Sequence, residues 1–519
     1  RLSGMTEEEL RGISAGVTSE TTFDDLSSDT KRAILERLVG SASDLNLIAA
    51  RISIARSELA KIDSSGLLGS VADALGPLDE RLEEAQVTLN TLAIAAQLLP
   101  EFGGLGRERA HLVLFLNNAE LRPGGGFIGT YGTLKTRDGD ITELETADSY
   151  ALDQLAGEST PIPAPPPLAR YNGTERWYFR DANWSPDFSV GSADASRLFG
   201  IERAAAGLPP QAFDGTIGVT PTFLQALLGI TGPVAVGGHT FTADNVPDEL
   251  EYQVEVGYAG QGIPTAQRKE IVGDFLNELK KKMYALRLAD WIRVGRAVRE
   301  GFAGKQIVLA SADAATDAMI QSVGWGGRVI VPAGDAQLVV DANIASLKSD
   351  PAVARSTHYE LFRNASGQYV GRTTMTYSHT GSFDWKTTRY RTYTRLYVPI
   401  GSELIRVTGS MADDKLKDPS GAPGSVDVST ELGMTSFGAF ISIEPGQTRS
   451  LSFEYKLSDA VVASIASGTY ELTVLKQVGA QDNGLTLTLG FGKNVALASV
   501  PEAREDWGDQ TYHLVTKLD

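Results

Sequence analysis

The apolar positions of this chain change rhythm twice. Up to about residue 105 they keep a helical period: Leu45, Ile48, Ile52, Ala55, Leu59 and Ile62 advance in steps of three and four, as do Leu78, Leu82, Ala85, Leu89, Leu92, Ala96 and Leu99. Such spacing places each set on one helix face. Ser64-Ser65-Gly66 and Gly76-Pro77 interrupt the two runs, so residues 1–107 are predicted to form an antiparallel helical hairpin, a coiled-coil stalk. The acidic stretch Asp24–Asp29 reads as the capped start of a helix, since Asp and Ser satisfy free N–H groups there.

From 108 to 350 short apolar runs alternate with glycine-rich turns and amphipathic helices, the pattern of an α/β domain. Leu112–Leu116 predicts a buried strand. Phe127–Lys135 and Ile141–Glu145 predict a hairpin closed by Asp138-Gly139. Gly215–Val219 reads as a strand backed by a helix over Pro221–Leu228, and Ala266–Tyr284 as a longer helix. The proline-rich Pro161–Pro167 is expected to be an extended surface loop. Over 351–519 the runs Thr373–Tyr377, Tyr393–Val398, Ser450–Tyr455 and Thr469–Lys476 predict an immunoglobulin-like β-sandwich. The expected class is therefore a multidomain α+β protein.

Composition narrows the chemistry. With 47 Lys and Arg against 65 Asp and Glu the net charge is −18, which disfavours nucleic acid or an anionic membrane as partner. The absence of cysteine excludes disulfides, thiolate zinc sites and a cysteine nucleophile. No uninterrupted apolar run reaches the roughly 18–20 residues of a membrane span. The first residue is Arg1, so a signal sequence or membrane anchor is expected ahead of it.

Two loops concentrate polar groups. Asn117-Asn118-Ala119-Glu120-Leu121-Arg122-Pro123-Gly124-Gly125-Gly126 follows the first strand, where α/β proteins place ligands. Arg180-Asp181-Ala182-Asn183-Trp184-Ser185-Pro186-Asp187 cannot be a regular helix because of Pro186. Together they predict one pocket. Arg122, Arg180 and Arg268 are candidate anion clamps. Glu120, Asp181 and Asp187 are candidate catalytic carboxylates, and Glu120 with Asp181 candidate magnesium ligands. Asn118, Asn183, Asn343 and Lys348 are expected to line the pocket, with Trp184 as a sugar platform. The alternative reading of each is local: arginines paired with neighbouring acids, and Asp187 capping a helix. The five histidines are not spaced as zinc ligands, and no serine-hydrolase elbow pairs with one of them.

His111–Gly129 and Arg180–Phe188, with Asp341–Lys348 and Val474–Gln477, resemble an uncharacterised bacterial family, domain of unknown function four-zero-one-two. That family implies no activity. The order of segments also resembles the LytR-CpsA-Psr phosphotransferases, which move glycans from polyprenyl diphosphate to the cell wall with magnesium. Glu120-Leu121-Arg122 is similar to their Asp-x-Arg, Phe179-Arg180-Asp181 to their Pro-Arg-Asp, and Arg268-Lys269 falls at their Arg-Gln pair. Their Arg-Ser-Asp-Thr segment is replaced here by Gly125-Gly126-Phe127-Ile128, and their arginine-rich stretch by Val254-Glu255-Val256-Gly257-Tyr258.

What the likeness implies is an extracytoplasmic enzyme acting on cell-envelope glycan, transferring it from polyprenyl diphosphate with magnesium. Two alternatives stand beside it. Paired carboxylates would make a glycoside hydrolase or transglycosylase on a cell-wall polysaccharide, and a pocket closed by internal salt bridges would make a non-catalytic surface scaffold or glycan-binding protein.

Overall fold

The computed structural model describes residues 20–62, 69–157, 161–481, 483–502 and 510–518. Within them the chain is a mixed α+β protein with N-terminal helices, a central sheet flanked by helices, and C-terminal strands. The turn expected at Ser64–Gly66 and the helical reading of residues 1–19 lie outside the described residues.

Helix α1 (Ser28–Leu59) starts where the Ser27 hydroxyl accepts the Thr30 N–H. Arg56 near its end donates to both oxygens of Asp79, at 2.9 and 3.2 Å, and to Glu83 at 2.9 Å near the start of α2 (Gly69–Phe102). The pair is therefore antiparallel. Its contact line differs from the expected seams: Leu35, Ala42 and Ala49 are buried, whereas Ile48, Leu78, Leu92 and Leu99 are exposed. The cause is the base of the hairpin, where Ile94, Leu98 and Phe102 turn onto Phe302, Ile307 and Leu309 of the next domain. By length and composition alone α1 is also apolar enough to cross a membrane.

The central domain runs β1 (Arg109–Asn117), β2 (Phe127–Arg137), β3 (Asp140–Asp148), α3 (Ser149–Ala156), α4 (Pro166–Asn172), α5 (Phe188–Ala205), β4 (Gly215–Val219), α6 (Pro221–Thr231), β5 (Val234–Val236), β6 (His239–Phe241), α7 (Val246–Tyr252), α8 (Glu270–Tyr284), α9 (Trp291–Ala303), β7 (Ile307–Ser311) and α10 (Ala314–Ser322). Its five-stranded sheet has the order β3-β2-β1-β4-β7, with β1 and β4 parallel. Alternation along β1 sends Leu112, Leu114 and Leu116 to a core shared with α5, and Phe115 to a second core built by α6 and α8. The β2–β3 hairpin turns on Asp138 and Gly139, both at positive φ (48° and 91°), as a tight two-residue turn requires.

The C-terminal region runs β8 (Asp335–Asn343), β9 (Val353–Arg363), β10 (Tyr369–His379), β11 (Tyr390–Pro399), β12 (Glu403–Thr408), β13 (Val426–Glu431), β14 (Met434–Ile443), β15 (Thr448–Lys456), α11 (Asp459–Ser467), β16 (Leu472–Leu475), β17 (Asn483–Gly490) and β18 (Thr511–Leu518). Two sheets, β12-β15-β10-β9-β17-β18 and β13-β14-β11-β8-β16, share one core rich in buried tyrosine. The β17–β9 and β16–β8 pairs are parallel. Those pairings and the six-plus-five strand count set it apart from an immunoglobulin-like sandwich of about seven to nine strands.

Two expectations shift here. Strand β8 pairs with β11 and β16, so the change from central domain to sandwich precedes Asp335 instead of falling at 350. The proline-rich segment is a surface loop only in its first part, where Pro161 and Pro163 are exposed and non-helical; Pro166 and Pro167 open α4, whose Leu168 and Tyr171 enter the sandwich core, with Tyr171 stacked on Phe440 at 4.3 Å. Pro166 and Pro167 are tolerated because the first helical turn needs no N–H donors.

His111 on β1 is buried against Phe102, the rings stacked at 4.8 Å. Burial lowers its pKa to about 4, against a small pull upward from Asp214. The folded form thus keeps a neutral ring while the unfolded chain protonates below about pH 6.5. Stability contributed by this site is present above that pH and lost as pH falls through about 4. A thermal midpoint followed from pH 7 to pH 4 is expected to drop more steeply in the wild type than in His111→Phe; equal slopes would refute the assignment.

Candidate functional site

Parallel strands β1 and β4 end at the same edge of the sheet, and the loops that follow them open a cleft of about 1040 Å³ against the sandwich. The glycine triplet that follows Arg122 fixes the first loop by close packing, not by cradling an anion. A Cβ on Gly124 would lie 2.9 Å from Asn183 Cβ, on Gly125 2.9 Å from Leu116, and on Gly126 2.6 Å from the Asn117 carbonyl oxygen.

Arg122 forms the floor. Its guanidinium donates to Glu120 at 3.0 Å, to Asp181 at 3.3 Å and to the Asn343 carbonyl at 2.5 Å, and it lies over the Phe127 ring. The two polar loops therefore meet, as their composition predicts, and they meet through a buried ion pair. Only 4% of Arg122 and 2% of Asp181 is exposed. Burial works to raise the Glu120 carboxyl, yet Arg122 and Lys348 outweigh it and hold its pKa below the ordinary value.

The pairing continues in both directions. Arg180 reaches Asp153 in a short ion pair, lies 3.6 Å from Asp181, and is sandwiched between the Tyr150 and Tyr178 rings. Behind it Asp153 faces Glu202, a side chain with no exposure. Burial and the Asp153 charge push Glu202 up to about 9, so the two carboxyls share a proton at neutral pH. On the other side Lys348 lies 3.0 Å from Glu120, 3.4 Å from Glu251 and 3.9 Å from Glu255. Glu255 in turn takes Arg268 at 2.7 Å. Signs alternate from Asp153 through Arg180, Asp181, Arg122 and Glu120 to Lys348.

Lys348 is aimed by its loop. Ala345 and Leu347 adopt left-handed φ of 53° and 51°, an uncommon geometry for such residues. Asn343 holds it: its side chain accepts the Ser346 N–H at 2.9 Å and donates to the Leu347 carbonyl and to Asp350. Asn343 is thus a brace behind Arg122 and does not line the cleft. Asn118 does line it, donating to Thr222 and the Gly479 carbonyl.

Three other expected site residues face elsewhere. Asp187 caps α5, accepting the Ser189 and Val190 N–H groups, and its other oxygen accepts Val329 N–H at 3.0 Å. With both oxygens on backbone donors it has no catalytic role to play in this cleft. Trp184 stacks on Tyr393 beneath Arg395 in the sandwich core, so it is an interdomain packing residue and not a sugar platform. Asn183 is buried and ties the two polar loops together through the Gly126 carbonyl at 2.6 Å.

A magnesium ion does not fit the donor set. Glu120 is held between two cations, and Asp181 between Arg122 and Arg180. Among the described residues no group of three His, Asp or Glu side chains is placed to hold a metal.

The expected site omitted four cleft residues: Glu251, Glu255, Lys269 and Trp385. Glu251 and Glu255 are four apart, and that spacing puts them on one helix face. They straddle the end of α7, where the chain widens into a π-turn over Gln253–Gly257, a distortion common at functional sites. Lys269 is buried beside Asp148 at 2.7 Å, and burial lowers its pKa.

Residues 107–254 match the model of a family described as Protein of unknown function (DUF4012). The match is confined to this central segment. It contains β1, both polar loops and Glu251, but not Lys348. No curated protein matches the chain. Solved structures similar to parts of it include an M1 zinc metallopeptidase from Deinococcus radiodurans, 10% identical over 32% of this chain and 39% of that one, with a TM-score of 0.16. Another is a putative nutrient binding protein from Legionella pneumophila, 11% identical over 36% of this chain and 67% of that one, with a TM-score of 0.17. The chain spans well under half of the peptidase's length, and likeness at these scores carries no argument.

Removing one partner of a buried ion pair strands the other charge, at a cost of about 3–5 kcal/mol. Arg122→Ala is expected to lose that much in denaturant unfolding, and a loss under 1 kcal/mol would show that the floor is not held by this residue. Glu202 titrates at about 9 in the fold against an ordinary 4.5, so its contribution is complete below pH 4.5 and disappears as pH rises toward 9. Glu202→Gln, which keeps the neutral shape, is expected to raise the thermal midpoint at pH 8 by roughly 2–4 °C, with little change at pH 5.

Proposed function

We propose that this is an extracytoplasmic glycan-binding protein of the cell envelope, and that the cleft between central domain and sandwich seats a sugar chain. One observation carries the reading: each guanidinium expected to clamp a diphosphate is already neutralised inside the fold, Arg122 by Glu120 and Asp181, Arg180 by Asp153, and Arg268 by Glu255. As many cationic as acidic side chains line the cleft. An incoming dianion would have to displace these carboxylates, whereas a neutral, hydroxyl-rich ligand exchanges hydrogen bonds with them at no net charge.

Aromatic faces at the rim support the choice of ligand. Trp385 and Tyr252 meet edge to face at 5.4 Å, each 40% exposed, and present the flat apolar surfaces on which sugar rings stack. The composition of α1 is compatible with attachment at the cell surface, and a chain without cysteine suits an exported protein. This reading keeps the glycan and drops the diphosphate and its magnesium.

Calorimetry decides between them. Soluble fragments of cell-wall polysaccharide are expected to bind equally with and without magnesium, and Trp385→Ala to weaken that binding about tenfold, as the loss of one stacking platform implies. Binding of a polyprenyl diphosphate analogue that requires magnesium, with no binding of the polysaccharide, would overturn the proposal.

A further inference from the structure

Glu251 and Glu120 reach the cleft from different elements, the end of α7 and the loop after β1, yet both contact the Lys348 ammonium, at 3.4 and 3.0 Å. Their nearest oxygens are therefore no farther apart than the sum of those distances. Their surroundings differ in kind. Glu120 lies between two cations, Arg122 and Lys348. Glu251 has Lys348 at one oxygen and the Asn117 amide, at 2.9 Å, at the other, and it also feels two further carboxylates, Glu255 and Glu120.

We propose that Glu251 and Glu120 are an acid and carboxylate pair that cleaves or exchanges a glycosidic bond in this cleft. The inference rests on the reading that the cleft takes a glycan. Burial raises the Glu251 pKa, with Lys348 opposing and Glu255 and Glu120 adding to the rise, while Glu120 is held low. Two carboxyls whose environments drive their ionisation apart are the arrangement that acid–base chemistry at a sugar needs.

The step balances as follows. The Glu251 carboxyl gives its proton to the glycosidic oxygen as that oxygen leaves the anomeric carbon, and the Glu120 carboxylate bonds to the same carbon. A water, or a hydroxyl of a second sugar, then attacks the anomeric carbon, returns a proton to Glu251 and frees Glu120. Water gives net hydrolysis, and a sugar hydroxyl gives net transfer. Asp181 takes no part, because it is buried beneath Arg122. Glu251 stands in the last turn of α7, directly before the π-turn, and lines the cleft.

The test uses purified cell-wall polysaccharide as probe, with binding followed by calorimetry and new reducing ends or altered chain lengths by chromatography. Wild-type protein is expected to bind and convert it. Glu251→Gln is expected to bind equally, to keep its thermal midpoint, and to convert it at least about 100-fold more slowly, the usual contribution of a positioned acid. Glu120→Gln is expected to be slowed similarly. The alkaline fall in wild-type rate tracks loss of the Glu251 proton, in a field set by Lys348, Glu255 and Glu120, and is expected to vanish in Glu251→Gln. Binding without conversion by the wild type, or undiminished conversion by folded Glu251→Gln, overturns the catalytic pair and leaves the glycan reading intact. Absence of binding by the wild type overturns both.

Discussion

The Arg122 guanidinium is the constraint on which this architecture turns. It takes carboxylates from its own loop and from the turn containing Asp181, and a carbonyl from the end of β8. Its backbone carbonyl is taken by Gln477, whose side chain also bridges both polar groups of the Asp341 backbone. A charge this deep in protein is tolerated only with partners in place, so three segments from two domains must arrive together. The cleft is the space left above that knot. Its floor is consequently rigid, and its position at the ends of β1 and β4 follows from strand direction.

Alternating charge has a second consequence. Along the run Asp153, Arg180, Asp181, Arg122, Glu120 and Lys348 each ion faces an opposite one, so the wall projects little net field into the cleft. Carboxyl pKa values rise where the alternation fails. At one end Glu202 meets Asp153 with no second cation, and at the other Glu251 meets Glu255 around a shared lysine. In both, burial is the largest cause of the raised pKa. The interior of the run is electrostatically closed, and its two ends hold carboxyls whose pKa values are raised by burial and by a neighbouring acid.

Local rules made much of this legible. A short uninterrupted apolar run located β1, Asp138-Gly139 located the hairpin, and a polar loop following a buried strand located the cleft. The meeting of Glu120, Arg122 and Asp181 could be anticipated from the two loop compositions. Long-range partners could not. Asp187 reads equally as acid or cap until Ser189 and Val190 are seen donating to it. Trp184 looks exposed beside Pro186, but Tyr393, some two hundred residues later, covers it. The boundary expected at 350 left Asp335–Asn343 in the α/β domain, and pairing with β11 and with Leu472–Leu475, both distant in sequence, assigns it to the sandwich. Glu251 was hidden by its helix, where a surface acid and a cleft acid have the same sequence.

The cleft is held unequally from floor to rim. Below, Arg122 and its partners are almost fully excluded from water, and breaking them leaves buried charge. Above, the two domains touch through Trp385 against Tyr252 and a Lys386–Asp248 ion pair whose aspartate is 74% exposed. Exposed pairs of this kind contribute about 0–1 kcal/mol and weaken with salt. Thermal motion that changes the width of the opening must therefore fall on the rim, because the floor resists by several kilocalories. A ligand that replaces the rim contacts with its own loses little, while one that must separate Arg122 from its carboxylates pays the full desolvation of both, and this difference selects for chains that lie across the wall over ions that would split it.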